Sequence, residues 1–420
     1  MHLRTVPVLQ AAEKGQMMSE KAEKRPSVPK GLIASVGLMR GLKPPPPSGP
    51  VFFAACLATA AFLLGAVAHA QTMSLPPATP PPAAAVWLTA DGTVVLPDFR
   101  FGTGETLPQL KLHYLTLGKP HRNAAGHTDN AVLLLHGTGG NAHSLLNPIF
   151  SNVLFGPGAP LDISKYFLIL PDDIGHGESS KPSDGLHARF PAYDYDDMVR
   201  SQRMMLDAMK IDHLRLILGT SMGCMESFVW GETYPGFADA LAPFACLPVE
   251  IAGRNRMMRY MAIEAIRQDP AWMGGEYQTA PVQGVRTANE IALVMGSSPL
   301  QMQKQAPTRE AAEKYVDNYW ERTAKSDAND MIFYWNASRN YDPSPRLGQI
   351  TVPVLWINSA DDYINPPELG IAEQMVKRMP HARFILLPIS DATRGHGTHT
   401  AATVWKDYLA EFMRSTEPRP

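Results

Sequence analysis

The chain is poor in cysteine and has almost no excess of either charge. Three cysteines in 420 residues cannot build a disulfide-dense scaffold or a four-thiolate zinc site. A formal net charge of −2 excludes a general nucleic-acid binder held by phosphate contacts. No internal repeat is visible. What the chain has in excess is proline, 38 in all, gathered near the N-terminus in Pro44–Pro47 and in Pro76, Pro77, Pro80, Pro81 and Pro82. The remainder, 45% hydrophobic and 19% charged, is ordinary for a globular protein. At about 150 residues per domain the length suggests two or three domains, although one large α/β domain can absorb it.

The N-terminal bias reads as an address. Residues 51–68 carry no charge, Arg40 and Lys43 precede them, and Ala68-His69-Ala70 follows. A basic stretch, an apolar run and an A-x-A site form a secretory signal peptide, with cleavage expected after Ala70. An uncleaved anchor is the alternative, because 18 apolar residues approach a membrane-spanning length. Met39 begins a more conventional leader than Met1 and is the expected start. Cleavage leaves 350 residues with a net charge of −7. Residues 1–70 are therefore read as extension and signal peptide, and 71–86 as a Pro/Ala-rich tether. The folded body is expected from Trp87, in a periplasmic or secreted protein that meets the membrane only through its leader.

From there the pattern is α/β. Leu110–Leu117 alternates like a strand. Ala131–Leu135, Tyr166–Leu170 and Leu214–Leu218 are short apolar runs of the kind buried in a parallel sheet. Val352–Asn358 and Arg383–Leu387 are two more strands. Helical spacing marks Asp194–Met209, Met222–Tyr234, Pro367–Met379 and Val404–Met413. Such alternation implies a mostly parallel sheet covered on both faces. Residues 247–348 break the rhythm and look helical. They would form a cap over a core made of 87–246 and 349–416.

The sharpest motif is Gly219-Thr220-Ser221-Met222-Gly223, with a strand leading in and a helix leading out. In that context G-x-S-x-G is a nucleophile elbow, and its glycines let Ser221 project at the strand's end. A serine hydroxyl needs a base and an orienting acid, which in this architecture follow in the order acid, then histidine. Asp362 sits after the strand at 352–358, four residues before Pro366, and is preferred as the acid over Asp361. His396 lies beyond the strand at 383–387, with His399 as its rival. His136-Gly137-Thr138-Gly139-Gly140 follows another strand. Its Thr138 N–H, paired with that of Met222, would bind an oxyanion, while His136 reads as a structural hydrogen-bonder. Asp172-Asp173-Ile174-Gly175-His176-Gly177-Glu178-Ser179 reads as a tight loop held by side-chain hydrogen bonds. No H-x-x-x-H pair or second ligand cluster supports a metal there, so neither metal nor cofactor is expected.

These residues resemble the homoserine O-acetyltransferase-like group of α/β hydrolases over roughly Leu110 to Met413. The resemblance includes Phe190-Pro191-x-Tyr193-x-x-x-Asp197-Met198-Val199-x-x-Gln202, Asp269-Pro270-x-Trp272-x-x-Gly275-x-Tyr277 and Asp327-Ala328-Asn329. It implies the α/β-hydrolase fold with a helical cap, an acyl-accepting Ser221, His396 as base and Asp362 as its partner. There are departures. The group's G-L-x-x-A-R is Gly284-Val285-Arg286-Thr287-Ala288-Asn289 here, so Asn289 replaces an arginine that lines the homoserine site. Gly296 falls where that site has a tyrosine, and Arg286 is the nearby cation. The group's G-H-D-A-F-L is Gly395-His396-Gly397-Thr398-His399-Thr400, and Cys224 follows the elbow.

Acetyl-CoA is a cytoplasmic cofactor, whereas the leader points outward, where water is the most available acceptor. The expectation is an exported serine esterase that cleaves a small or medium acyl ester through acyl-Ser221. O-acyl transfer is the alternative, and a binding module on a dead hydrolase fold a third reading. Cys224 and Cys246 could pair in an oxidising compartment, but two buried free thiols are the preferred reading. Met257, Met258, Met261, Met295 and Met302 would pack the cap core or line an acyl pocket. A monomer and a homodimer both stay open.

Overall fold

The computed structural model describes residues 85–416 and Pro418. The leader, its expected cleavage site and all but the end of the tether lie outside the described residues. One eight-stranded sheet runs through the body in the order β1-β2-β4-β3-β5-β6-β7-β8. Its strands are β1 (Ala90–Arg100), β2 (Thr106–Leu117), β3 (Ala131–Leu135), β4 (Phe167–Pro171), β5 (Leu216–Thr220), β6 (Leu241–Phe244), β7 (Val354–Ser359) and β8 (Ala382–Leu387). β1 and β2 form an antiparallel pair, β2 joins β4 antiparallel, and every other pairing is parallel. β1 and the four-residue β6 are the strands the sequence pattern does not announce. β1 runs along the edge of the sheet. It has buried Leu96 and Phe99 between mostly exposed neighbours, as an edge strand should.

The continuous apolar runs have a simple cause. In β3, Ala131, Leu133 and Leu135 enter one apolar cluster while Val132 and Leu134 enter the other. β7 divides the same way, with Val354 and Trp356 on one face and Leu355 and Ile357 on the opposite face. Side chains alternate across a strand, so a sheet covered on both sides must be apolar at every position.

Helices α1 (Pro148–Leu154), α2 (Tyr195–Ala208) and α3 (Met222–Thr233) follow in the first half of the chain. α2 begins at Asp194, whose carboxylate accepts from Asp197 N–H in a reciprocal capping box. Its Met198 and Met205 are buried, whereas Met204 faces out. α3 is enclosed on almost every side, the condition that lets a helix be apolar all round.

Residues 247–348 contain α4 (Gly253–Arg267), α5 (Val282–Gly296), α6 (Pro299–Gln305), α7 (Arg309–Thr323) and α8 (Ala328–Asn336). Ile263 and Ile266 of α4, Val285 and Ala288 of α5, and Met331 and Ile332 of α8 share a separate apolar cluster. The residues of the family pattern tie these helices together. Asp269 accepts from Ala271 N–H and from Gly284 N–H at the start of α5. Tyr277 donates to Asp327, which caps α8, and Trp272 donates to Asn329. The methionine stripe does not form one face. Met258 is buried, but Met257 and Met261 are 63% and 51% exposed, because α4 offers only its Ala262–Ile263–Ile266 side to the cluster.

The C-terminal region differs from the expected long helix at 367–379. Gly370, in the left-handed region (φ 60°), separates a short 3-10 turn from α9 (Ile371–Met375). The chain ends in α10 (Lys406–Ser415). Among the described residues no helix is long and apolar enough to cross a membrane.

One expectation is overturned. Cys224 and Cys246 are joined as a disulfide with a Cα–Cα separation of 5.8 Å, inside the range such bonds require. The reason is topological. β5 and β6 are neighbours with Thr220 paired to Phe244, so residues just past both strand ends meet at the same edge of the sheet.

Candidate active site

The site grows from the turn between β5 and α3. Ser221 has φ 55° and ψ −106°, a conformation that a non-glycine residue adopts only when its surroundings enforce it. A Cβ on Gly219 would lie 1.9 Å from Gly223 O, and one on Gly223 would lie 2.5 Å from Leu135 O. Both positions must therefore be glycine. Ser221 N–H donates to Phe244 O, and Gly223 N–H donates to His136 O. The turn is thus held to β6 on one side and to the end of β3 on the other.

Two loops bring the partners. His396 Nε2 lies 2.7 Å from Ser221 Oγ, and His396 Nδ1 lies 2.8 Å from Asp362 Oδ2. With Asp362 as acceptor, Nδ1 carries the proton and Nε2 accepts from the serine hydroxyl. Asp362 Oδ1 also accepts from Ile364 and Asn365 N–H, and Oδ2 accepts from Asn365 Nδ2. Burial alone would raise its pKa, but His396, Asn365 and Ile364 outweigh that and hold the carboxyl below its ordinary value. Asp361 has a different task. Its carboxylate accepts from Ser359 Oγ and from Gly395 N–H, so it fixes the loop that carries His396.

His399 packs edge-on against His396 with ring centroids 5.1 Å apart. Burial first and His396 second push its pKa down to about 3. It is neutral at physiological pH and makes no hydrogen bond to Ser221.

The loop after β3 lies against the nucleophile. A Cβ on Gly137 would come within 3.3 Å of Ser221 Cβ. Among the described residues the N–H groups of Thr138 and Met222 donate to no protein acceptor. Gly139 N–H is taken, donating to His176 Nε2. Burial, with His136 beside it, lowers the His176 pKa to about 3, which keeps that nitrogen an acceptor. His176 stacks on Tyr334 of α8 at 5.4 Å. The cap thereby reaches the oxyanion loop through a tyrosine whose role no motif signals.

His136 donates from Nδ1 to Gly137 O and accepts from Asp173 N–H, as a structural histidine should. Asp172 accepts from Ala142 N–H, Glu178 N–H and His113. Its oxygens are thus committed to the loop. Among the described residues no group of three or more His, Cys, Asp or Glu is arranged to hold a metal ion.

Beneath the turn sits a buried polar network that sequence reading missed. Gln202 Nε2 donates to Asp173 and, at 2.6 Å, to Glu226, while its Oε1 accepts from Trp230 Nε1. Burial first and the charge of Asp173 second push the Glu226 pKa well above its ordinary value. Burial raises Asp173 too, against the pull of His136 and Gln202. The glutamine of the family pattern is the only overt sequence signal for this network.

On the cap side, Asn289 is buried and donates to Val285 O within α5. Arg286 faces away, paired with Glu290 and Asp317. Gly296 leaves open space where a side chain would stand and lines a cavity of about 360 Å³ with Arg394, Tyr315 and Tyr319. A second cavity, of about 690 Å³, has the acid loop and apolar Leu247, Val249, Ile251 and Ile371 as walls. It reaches Asp362 but is not lined by Ser221 or His396.

A family model described as the alpha/beta hydrolase fold matches residues 130–390. The chain belongs to the α/β-hydrolase family. Within it, the homoserine O-acetyltransferase of Moorella thermoacetica is 30% identical over 341 residues, covering 70% of this chain and 87% of that protein. This places the chain among the α/β hydrolases of the homoserine O-acetyltransferase-like group. Solved structures agree on the fold. A homoserine O-acetyltransferase from Bacillus anthracis aligns with a TM-score of 0.70 at 21% identity, over 80% of this chain and 100% of that one. An acetylester hydrolase from Corynebacterium glutamicum gives 0.67 at 20% identity, over 78% and 96%.

Two predictions follow from this α/β-hydrolase site. His396→Ala should lower kcat by about 10⁴-fold, while His399→Phe should leave it within about threefold; steady-state kinetics on one ester substrate decides. The second concerns Glu226. Its raised pKa means that the folded state keeps a proton the unfolded state has lost. Stability is therefore fully present at pH below the ordinary glutamate range and is lost as pH rises toward the raised value. Glu226→Gln should gain Tm relative to the native protein as pH rises from 5 to 9, and an equal difference at both ends would disprove it.

Proposed function

We propose that this protein is a serine acyl-transferring enzyme. Ser221 takes an acyl group from a small ester or thioester and passes it to an oxygen nucleophile. The carrying observation is the unbroken hydrogen-bonded chain from Ser221 Oγ through His396 to Asp362. In the first step His396 Nε2 accepts the hydroxyl proton while Oγ attacks the acyl carbon. The carbonyl oxygen becomes an oxyanion, and the uncommitted N–H groups of Thr138 and Met222 are placed to receive it. His396 then returns the proton to the leaving oxygen or sulfur. In the second step an incoming hydroxyl gives its proton to Nε2, attacks the acyl-serine, and Ser221 regains its proton as the new ester leaves.

The acceptor distinguishes two readings. The curated relatives are named homoserine O-acetyltransferases, which supports an alcohol as acceptor better than it supports water. Homoserine itself is less well supported. Asn289 stands where the group has an arginine, and Arg286 is occupied by Glu290 and Asp317. That observation favours either another hydroxyl compound or water, so ester hydrolysis remains the second reading.

Export is part of the proposal. The leader at 51–70 supports it, and so does the Cys224–Cys246 disulfide, since such bonds persist in oxidising compartments. N-terminal sequencing of the exported form should begin at Gln71; a mature protein still carrying residues 51–68 would refute cleavage.

Fluorophosphonate labelling and product analysis test the chemistry. The native protein should label, and Ser221→Ala should lose both the label and about 10⁴-fold or more of the activity. With an acetyl ester donor and a panel of alcohols, the acetylated alcohol should be the main product. Acetate alone, at every acceptor concentration, would make the enzyme a hydrolase. Absence of labelling would remove both readings.

A further inference from the structure

The disulfide occupies a particular place in the site. Cys224 is fully buried in the first turn of α3, three residues after the nucleophile. Cys246 is 2% exposed and lies just past β6. That exit from β6 is also the anchorage of the acid loop. Cys246 O accepts from Trp356 Nε1 at 3.1 Å and from Asn358 Nδ2 at 3.0 Å. Ala245 N–H donates to Asn358 Oδ1, and Ala245 O accepts from Asn365 Nδ2 at 3.0 Å. The same Asn365 amide donates to Asp362 Oδ2 at 3.0 Å. Ala245 itself has φ 67°, a left-handed conformation that a residue with a Cβ keeps only under constraint.

These contacts close a ring. It runs from Ser221 along α3 to Cys224, across the disulfide to Cys246 and Ala245, through Asn365 to Asp362, and through His396 back to Ser221. We propose that the Cys224–Cys246 disulfide is a positioning element of the site: it clamps the exit of β6 to the nucleophile's helix and so fixes Asp362 and His396 relative to Ser221. The inference rests on the reading of Ser221 as the acyl nucleophile. The physical argument is one of alignment. The ring contains a single left-handed alanine and several side-chain hydrogen bonds, all able to relax by tenths of an ångström. The covalent bond is its stiff member, and misplacing a reacting group by about 1 Å can cost about 100-fold in rate.

A double-mutant cycle separates positioning from bulk stability. Measured well below the melting temperature, Cys224→Ala/Cys246→Ala should lower kcat by about tenfold with KM within about twofold, and should shift the midpoint of the pH–rate profile. Asn365→Ala should lower kcat by a comparable factor. If both act through Asp362, the triple variant should lose no more than the worse of the two. A loss equal to the product of the separate losses would overturn the proposal, as would an unchanged kcat and pH profile without the disulfide. Should the cysteine-free variant not fold, the folded native protein can be reduced with a phosphine and its fluorophosphonate labelling followed. The labelling rate should fall in step with the release of two thiols, and an unchanged rate at full release would overturn the clamp. A native protein that never labels would instead refute the serine reading itself.

Discussion

The backbone of Ser221 is the constraint around which this protein is arranged. Its conformation (φ 55°, ψ −106°) exposes the hydroxyl, and the chain tolerates it because three elements close on the turn at once. Gly219 lets the turn fold back on Gly223, Gly223 lets α3 touch the end of β3, and the His136 carbonyl holds Gly223 in place. The contact that permits the turn also builds the oxyanion loop. Because α3 sits directly on Leu135, the chain leaving β3 must pass within van der Waals distance of the nucleophile at Gly137. The candidate nucleophile and the candidate oxyanion donors are thus two results of one close approach.

The strain is met from below by polar groups rather than by hydrocarbon. Glu226, Gln202 and Asp173 lie under the turn and are fully buried, and Gln202 supplies both carboxyl groups with a donor. Burial raises the carboxyl pKa values there, which favours the protonated forms and lessens the cost of unpaired buried ions. Through Asp173 the network reaches His136, and through His136 the carbonyl of Gly137. The oxyanion loop is therefore supported from below by Asp173 and His136 and from above by His176 and Tyr334. A displacement of α8 would be felt at Gly139 through two stacked rings.

Much of this was legible in the residues. The elbow, the acid loop and the base loop each follow a strand, and strands of a parallel sheet deliver their C-terminal ends to one edge, so Ser221, Asp362 and His396 had to meet. What was not legible depended on lateral neighbours. β1 carries a weak signal because an edge strand needs few buried side chains, and β6 because it is only four residues long. Spacing before Pro366 favours Asp362 over Asp361, and the fold adds what spacing cannot give, that Asp361 faces Gly395 and Asp362 faces His396. Tyr334 belongs to a helix far along the chain, and its contact with the oxyanion loop arises from the way the cap sits. The Cys224–Cys246 pairing is hidden for the same reason, since separation in sequence says nothing about the shared edge of β5 and β6.

The arrangement also locates where this chain departs in sequence from the homoserine O-acetyltransferase-like pattern. On the proposed mechanism an acyl-serine forms whatever the acceptor, so the choice between alcohols and water would fall to the residues of 247–348. There the residues that hold helices together are retained: Asp269 at the start of α5, Tyr277 on Asp327, Trp272 on Asn329. The residues that depart from the pattern, Asn289 and Gly296, both lie on α5, near Arg286. Asn289 turns its amide to its own helix, Arg286 is neutralised by two carboxylates, and Gly296 leaves a void beside Arg394. A scaffold kept intact around an altered lining is what selection for a different acceptor would leave. The strained backbone at Ser221 fits the proposed acyl-serine chemistry, and the departures on α5 fit an acceptor other than homoserine.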